Sequence, residues 1–106
     1  MKRYTLTHTD SMYNWLSDNL FTLTVVDYDA SEQLRSCQAW MIPFTMVCDY
    51  DRDEVWEGYL LQSYNTIVSF VAESSNGEIL TVRLGKWSPT TSRQQTWFER
   101  DVEHLM

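Results

Sequence analysis

A chain of 106 residues is long enough for one domain and too short for a second with its own core, so residues 1–106 are expected to form a single globular domain. Hydrophobic residues make up 43%, with five Trp, six Tyr and four Phe but only three Gly and two Pro, which excludes a disordered or low-complexity chain. The net charge of −7 argues against general nucleic-acid binding, which calls for an excess of Lys and Arg.

Along the chain, Arg3–His8 alternates well enough for a short strand. The segment from Thr9 to Leu20 reads as a helix, with Thr9, Asp10 or Ser11 as its cap and Met12, Trp15, Leu16 and Leu20 at helical spacing. Phe21–Asp29 is rich in β-branched and aromatic residues and reads as a strand. For the segment Ala30–Ile42 the pattern predicts a short helix capped by Ser31 and ended by Pro43, although Cys37, Ala39 and Met41 also suit a strand. A further strand is expected at Thr45–Tyr50, and others near 58–63, 66–73 and 78–84. Asn76-Gly77 marks a tight hairpin between the last two of these. In the strand near 66–73 both side-chain registers are apolar, which predicts cover on both faces. A final helix is expected over about 90–105. Its start is either a Thr91–Gln94 capping box or Ser88 with Pro89, and its inward stripe is Phe98, Val102 and Leu105. The fold class is α+β, a small antiparallel sheet with two or three helices packed on one side.

The residues that could carry chemistry are few. His8 and His104 both lie near the termini, and three glycines supply no phosphate-cradling loop, so no cofactor and no enzymatic activity is expected. Cys37 and Cys48 lack metal-ligand spacing and read as free buried thiols, with a disulfide as the alternative. No apolar run long enough to span a membrane is present, and the basic start has no apolar stretch behind it, so a cytoplasmic setting is expected. Asp49, Asp51 and Asp53 begin like a calcium loop, but Glu54 stands where its turn wants Gly and Leu60 where its bidentate Glu should be. No metal is therefore expected.

Charge points elsewhere. Residues 1–57 hold ten acids and four bases, whereas residues 58–106 hold five and four. Asp49, Asp51, Asp53, Glu54 and Glu57, with Asp27 and Asp29 as an extension, make a candidate partner-binding face, and Trp56 reads either as its aromatic anchor or as core. The natural partner is a basic protein whose arginine-rich groove otherwise holds nucleic acid. An alternative anion or nucleic-acid site gathers Arg83, Lys86, Trp87 and Arg93 around the start of the last helix. The aromatic content also makes a homodimer an option.

Ser63, Tyr64 and Thr66, followed by Trp87, Ser88, Thr90, Thr91, Ser92 and Arg93, resemble an S-Y-x-T…(Y/W)-S-x-T-T-S-R-H pattern. It belongs to small uncharacterised proteins of bacteriophages and mobile elements, chiefly of Firmicutes. The likeness spans Ser63–Phe98, a third of the chain, and Gln94 stands where the pattern carries His. The resemblance implies provenance and no activity. Joined to the acidic face, it leads to the expectation of a phage-derived inhibitor of a host defence protein, such as an anti-CRISPR acting on a Cas nuclease or an anti-restriction protein.

Overall fold

Seven strands form one mixed sheet in a computed structural model that describes residues 3–8, 11–85 and 87–106. In chain order the elements are β1 (Arg3–His8), α1 (Met12–Asn19), β2 (Phe21–Val26), β3 (Glu32–Gln33), β4 (Ala39–Cys48), β5 (Val55–Ser63), β6 (Thr66–Ser74), β7 (Ile79–Leu84) and α2 (Pro89–Asp101). Short 3-10 turns follow β2 at Tyr28–Ala30 and α2 at Val102–His104. The strand order is β1-β7-β6-β5-β4-β2, and β3 lies beside β4 on the same edge as β2. Only β1 and β7 pair parallel; all the other pairings are antiparallel. β1 and β2 thus occupy opposite edges, and α1 is the connection between them.

Two cores lie on the two sides of this sheet, as the period-2 geometry of strands requires. Ile42, Phe44, Met46, Leu60, Phe70, Leu80 and Val82 point to a first face and pack with Met12, Trp15 and Leu16 of α1. Ala39, Met41, Leu61, Val68 and Val71 point to a second face and pack with Phe98 and Val102. The first core is built on aromatic contacts. Trp15 stacks on Phe21 at 5.7 Å and meets Phe70 edge-on at 4.8 Å, while Phe44 meets Phe70 at 5.7 Å. The two helices therefore cover opposite faces of a large mixed sheet, which corrects the expectation of a small antiparallel sheet with its helices on one side. The doubly apolar registers of β6 already required this arrangement, since one layer of helices leaves one register wet.

The expected helix over Ala30–Ile42 does not form. Instead β3 and β4 make a hairpin whose turn is closed by the Leu34 N–H on the Ala39 carbonyl, with Arg35 at φ 53°. Residues 39–47 are apolar in both registers, and a helix would bury one stripe of them where the strand buries two. Pro43 is tolerated mid-strand because its carbonyl accepts from the Asp27 N–H. Its backbone nitrogen faces that same side, so no bond to β5 is lost. Cys37 and Cys48 are free and half-buried, near opposite ends of β4.

Other boundaries follow local chemistry. Ser11 caps α1, its hydroxyl accepting from the Asn14 N–H; Thr9 and Asp10 lie outside the described residues. The Asn76-Gly77 turn joins β6 to β7 with Gly77 at φ 83°. Ser88 with Pro89 starts α2, and Gln94 is buried rather than serving a capping box. Leu105 is 37% exposed and leaves the inward stripe to Phe98 and Val102, because the helix tightens into its 3-10 turn at Val102. Among the described residues, no helix is long and apolar enough to cross a membrane.

Candidate interaction groove

α2 and the turn after it cover the part of the second face around Ala39, Met41, Leu61, Val68 and Val71, and another part stays open. The exposed part is a groove of about 670 Å³, floored by β2, β4, β5 and β6 and closed at one side by Leu105 and Met106. Three carboxylates line it: Asp27, Glu57 and Glu73. Glu57 and Glu73 sit directly opposite each other in the β5–β6 register, and Thr45 flanks Glu57 on β4. Like charges directly opposed across two strands destabilise a sheet. Asp27 closes the neighbouring 3-10 turn by accepting from the Ala30 N–H. Tyr59, Pro43, Val25 and Val55 supply apolar surface between the carboxylates, and no Lys or Arg lines the groove among the described residues.

The other predicted acids lie around this groove and differ in role. Asp49, Asp51, Asp53 and Glu54 form the β4–β5 turn, at the far end of β2 from Asp27 and Asp29. Asp51 shapes that turn, accepting from the Asp53 N–H through its side chain and from the Glu54 N–H through its carbonyl. Asp49 accepts from the Thr22 hydroxyl and ties the turn to β2. Asp29 is exposed in the 3-10 turn. The structure thus brings Asp27 and Glu57 together and leaves Asp49–Glu54 as a separate acidic turn. Among the described residues, no group of three or more His, Cys, Asp or Glu is arranged to hold a metal ion. Trp56 is 6% exposed and belongs to the first core, its ring edge-on to Phe21, so its reading as an exposed anchor is corrected to core.

The residues of the basic alternative are placed as follows among the described residues. Arg83 grips Glu99 through two hydrogen bonds of 2.6 and 3.2 Å and reaches Thr96, fastening β7 to α2. Its charge is matched inside the fold. Lys86 lies outside the described residues. Trp87, three residues beyond β7, is 40% exposed, its indole N–H donating to the Leu84 carbonyl. Arg93 is exposed on α2, and the Ser88 hydroxyl accepts from the Thr91 N–H to cap the helix.

Glu73 is the groove residue that sequence reasoning missed. It stands in an apolar strand, far in sequence from the acidic run, and only the long-range register places it opposite Glu57. Gln94, a capping-box candidate from the sequence, and Gln95 are both buried. Gln94 accepts from the Ser63 hydroxyl at 2.6 Å, and Gln95 donates to the Val68 carbonyl at 2.7 Å. The Ser63–Gln94 bond fastens the end of β5 to α2.

Comparison with protein-family models, with curated proteins and with solved structures returned no match.

Proposed function

We propose that this chain is a protein-binding inhibitor or adaptor whose acidic groove receives a cationic segment of its partner. The observation that carries this reading is the convergence of Asp27, Glu57 and Glu73 in one open groove that no Lys or Arg lines among the described residues. An arginine inserted between Glu57 and Glu73 gains charge-assisted, bidentate hydrogen bonds, and it also relieves the repulsion between the two carboxylates. Tyr59, Pro43 and Val25 offer surface for the aliphatic stem of such a side chain. The acidic turn at Asp49–Glu54 and Asp29 at the other end of β2 extend the negative field and steer a basic partner toward the groove.

A cationic surface of that kind is what a nuclease uses to hold the backbone of its nucleic acid. In its concrete form the proposal is a phage-encoded protein that acts inside the host bacterial cell by occupying the nucleic-acid groove of a defence nuclease. The test is inhibition of candidate Cas and restriction nucleases, together with binding of a nona-arginine peptide across a salt series. The wild-type chain is expected to bind with an affinity that falls as salt rises, and an Asp27→Asn/Glu57→Gln/Glu73→Gln variant to lose both binding and inhibition. Undiminished inhibition by a folded triple variant would reject the groove as the binding surface.

A further inference from the structure

β1 ends the sheet on one side. Arg3–His8 pair with Ile79–Leu84 in unbroken parallel register, and among the described residues no backbone hydrogen bond joins β1 to any element but β7. The outer edge of such a strand carries a row of unpaired N–H and C=O groups, and folds commonly blunt it with a bulge, a proline or a lysine. The opposite edge of this sheet is blunted in that way: β2 has a register shift between Leu23 and Val25, and β3 takes its place beside β4 further along. Arg3–His8 has no bulge, no Pro and no Lys. Its apolar side chains are exposed as well. Tyr4 and Leu6 stand beside Leu80 and Val82 on the first face, and they are 41% and 44% exposed where those neighbours are buried.

We propose that β1 pairs with β1 of a second copy of this chain, antiparallel about a two-fold axis at Thr5, so that the sheet runs on through both copies. The sequence of the edge selects this occupant. About that axis Tyr4 falls opposite Leu6 of the second copy, Leu6 opposite its Tyr4, Thr5 opposite Thr5, and Arg3 opposite Thr7. Each exposed apolar side chain thus gains an apolar cross-strand neighbour, the contact that stabilises antiparallel sheets. Both members of every pair are odd-numbered or both even-numbered, so their outward-facing backbone groups match and the ladder closes without a bulge.

Charge agrees with self-pairing. Each chain carries −7, yet Arg3–His8 holds no Asp or Glu, so no carboxylate of either β1 comes to the seam. Arg3 is bridged to Glu103 at 3.0 Å within its own copy and meets no like charge across the ladder. A parallel pairing would turn the second copy over and set Tyr4 and Leu6 beside the face that carries its Arg3 and Thr5. The antiparallel arrangement uses one patch twice, as the commonest soluble oligomers do. Its axis stands perpendicular to the sheet and keeps each face on its own side, so the acidic grooves of the two copies open in the same direction.

The reading is independent of the acidic groove, and salt tells the two apart. In sedimentation equilibrium the chain is expected to pass from monomer to dimer as its concentration rises to about 1 mM, and screening of the two net charges strengthens the dimer. Binding of nona-arginine weakens under the same salt. Leu6→Lys, at an exposed position, puts a charge into the seam and is expected to weaken dimerisation by about tenfold or more. Tyr50→Lys makes the same change of charge at an 82% exposed position in the acidic turn and is expected to leave dimerisation unchanged. Facing Cα atoms of an antiparallel pair lie about 4.5–5.5 Å apart, inside disulfide range, so Thr5→Cys treated with oxidised glutathione is expected to give a dimer whose linked peptides join at position 5. The proposal is overturned if the chain stays monomeric over the whole concentration range, if Leu6→Lys dimerises as the wild type does, or if oxidised Thr5→Cys links copies only through Cys37 or Cys48.

Discussion

Glu73→Gln separates the stability of this protein from its proposed function, because the two should move in opposite directions. Glu57 and Glu73 are paired across β5 and β6, with Glu57 exposed and Glu73 half-buried. A directly opposed like-charge pair costs about 0.2–1 kcal/mol. For a domain near 100 residues, each 1 kcal/mol moves the melting temperature by roughly 4–8 °C, so removing one charge should raise Tm by roughly 1–8 °C. The gain should vanish in about 1 M salt, where the screening length falls to about 3 Å. The same substitution removes one charged acceptor for an incoming guanidinium. A hydrogen bond to a charged group contributes about 1.5–3 kcal/mol, which converts to a loss of affinity for an arginine-rich peptide of about tenfold to a hundredfold. Thermal unfolding at low and high salt, with calorimetric titration of nona-arginine, reads both effects. A lowered Tm, a gain that persists in high salt, or unchanged peptide affinity would refute the electrostatic reasoning.

Substitutions at three further positions probe the scaffold. A Cβ on Gly58 would lie 1.8 Å from the Val71 carbonyl oxygen, so Gly58→Ala must separate β5 from β6; a loss above about 3 kcal/mol is expected in urea unfolding, in line with severe core strain. Ser63→Ala leaves the buried Gln94 carbonyl oxygen without its donor and should destabilise by about 1–3 kcal/mol in the same assay, with local loss of amide protection between the β5–β6 hairpin and α2. Tyr64 holds φ 55° in the β5–β6 turn, a region costly for residues with a Cβ, so Tyr64→Gly should stabilise by up to about 1 kcal/mol while Tyr64→Val destabilises. Matched or reversed signs for that last pair in thermal melts would contradict the strain assigned to the turn.

What could be read from the sequence was what local chemistry decides. The Asn76-Gly77 turn, the Ser88-Pro89 start of α2, and the doubly apolar registers of β6 all follow from neighbours within a few residues, and each stands in the structure. Ala30–Ile42 was ambiguous because Cys37, Ala39 and Met41 suit a strand as well as the helix that Ser31 and Pro43 would bound. Only the presence of a core on each side decides for the strand. The parallel pairing of β1 with β7 left no local trace, and neither did the register that sets Glu73 against Glu57. Trp56 shows the same limit from the other direction: its acidic neighbours suggested a surface, but its alternation with Leu60 puts it in the first core.

The placement of β1 and β2 on opposite edges has a bearing on how the chain assembles. β4 to β7 form a simple meander in which each strand pairs with its predecessor, so that unit can zip up from hairpins. β1 has no partner until β7 exists, since Arg3 pairs with Ile79, and β2 waits for the far end of β4, where Phe21 meets Cys48. Contacts so distant along the chain close long loops, and such closures come late and slow the reaction. Synthesis from the amino end delivers these strands in the reverse of that order. Residues 11–26, with the first-core aromatics Trp15 and Phe21 among them, leave the ribosome ahead of β4–β7 and wait for those strands to complete their core.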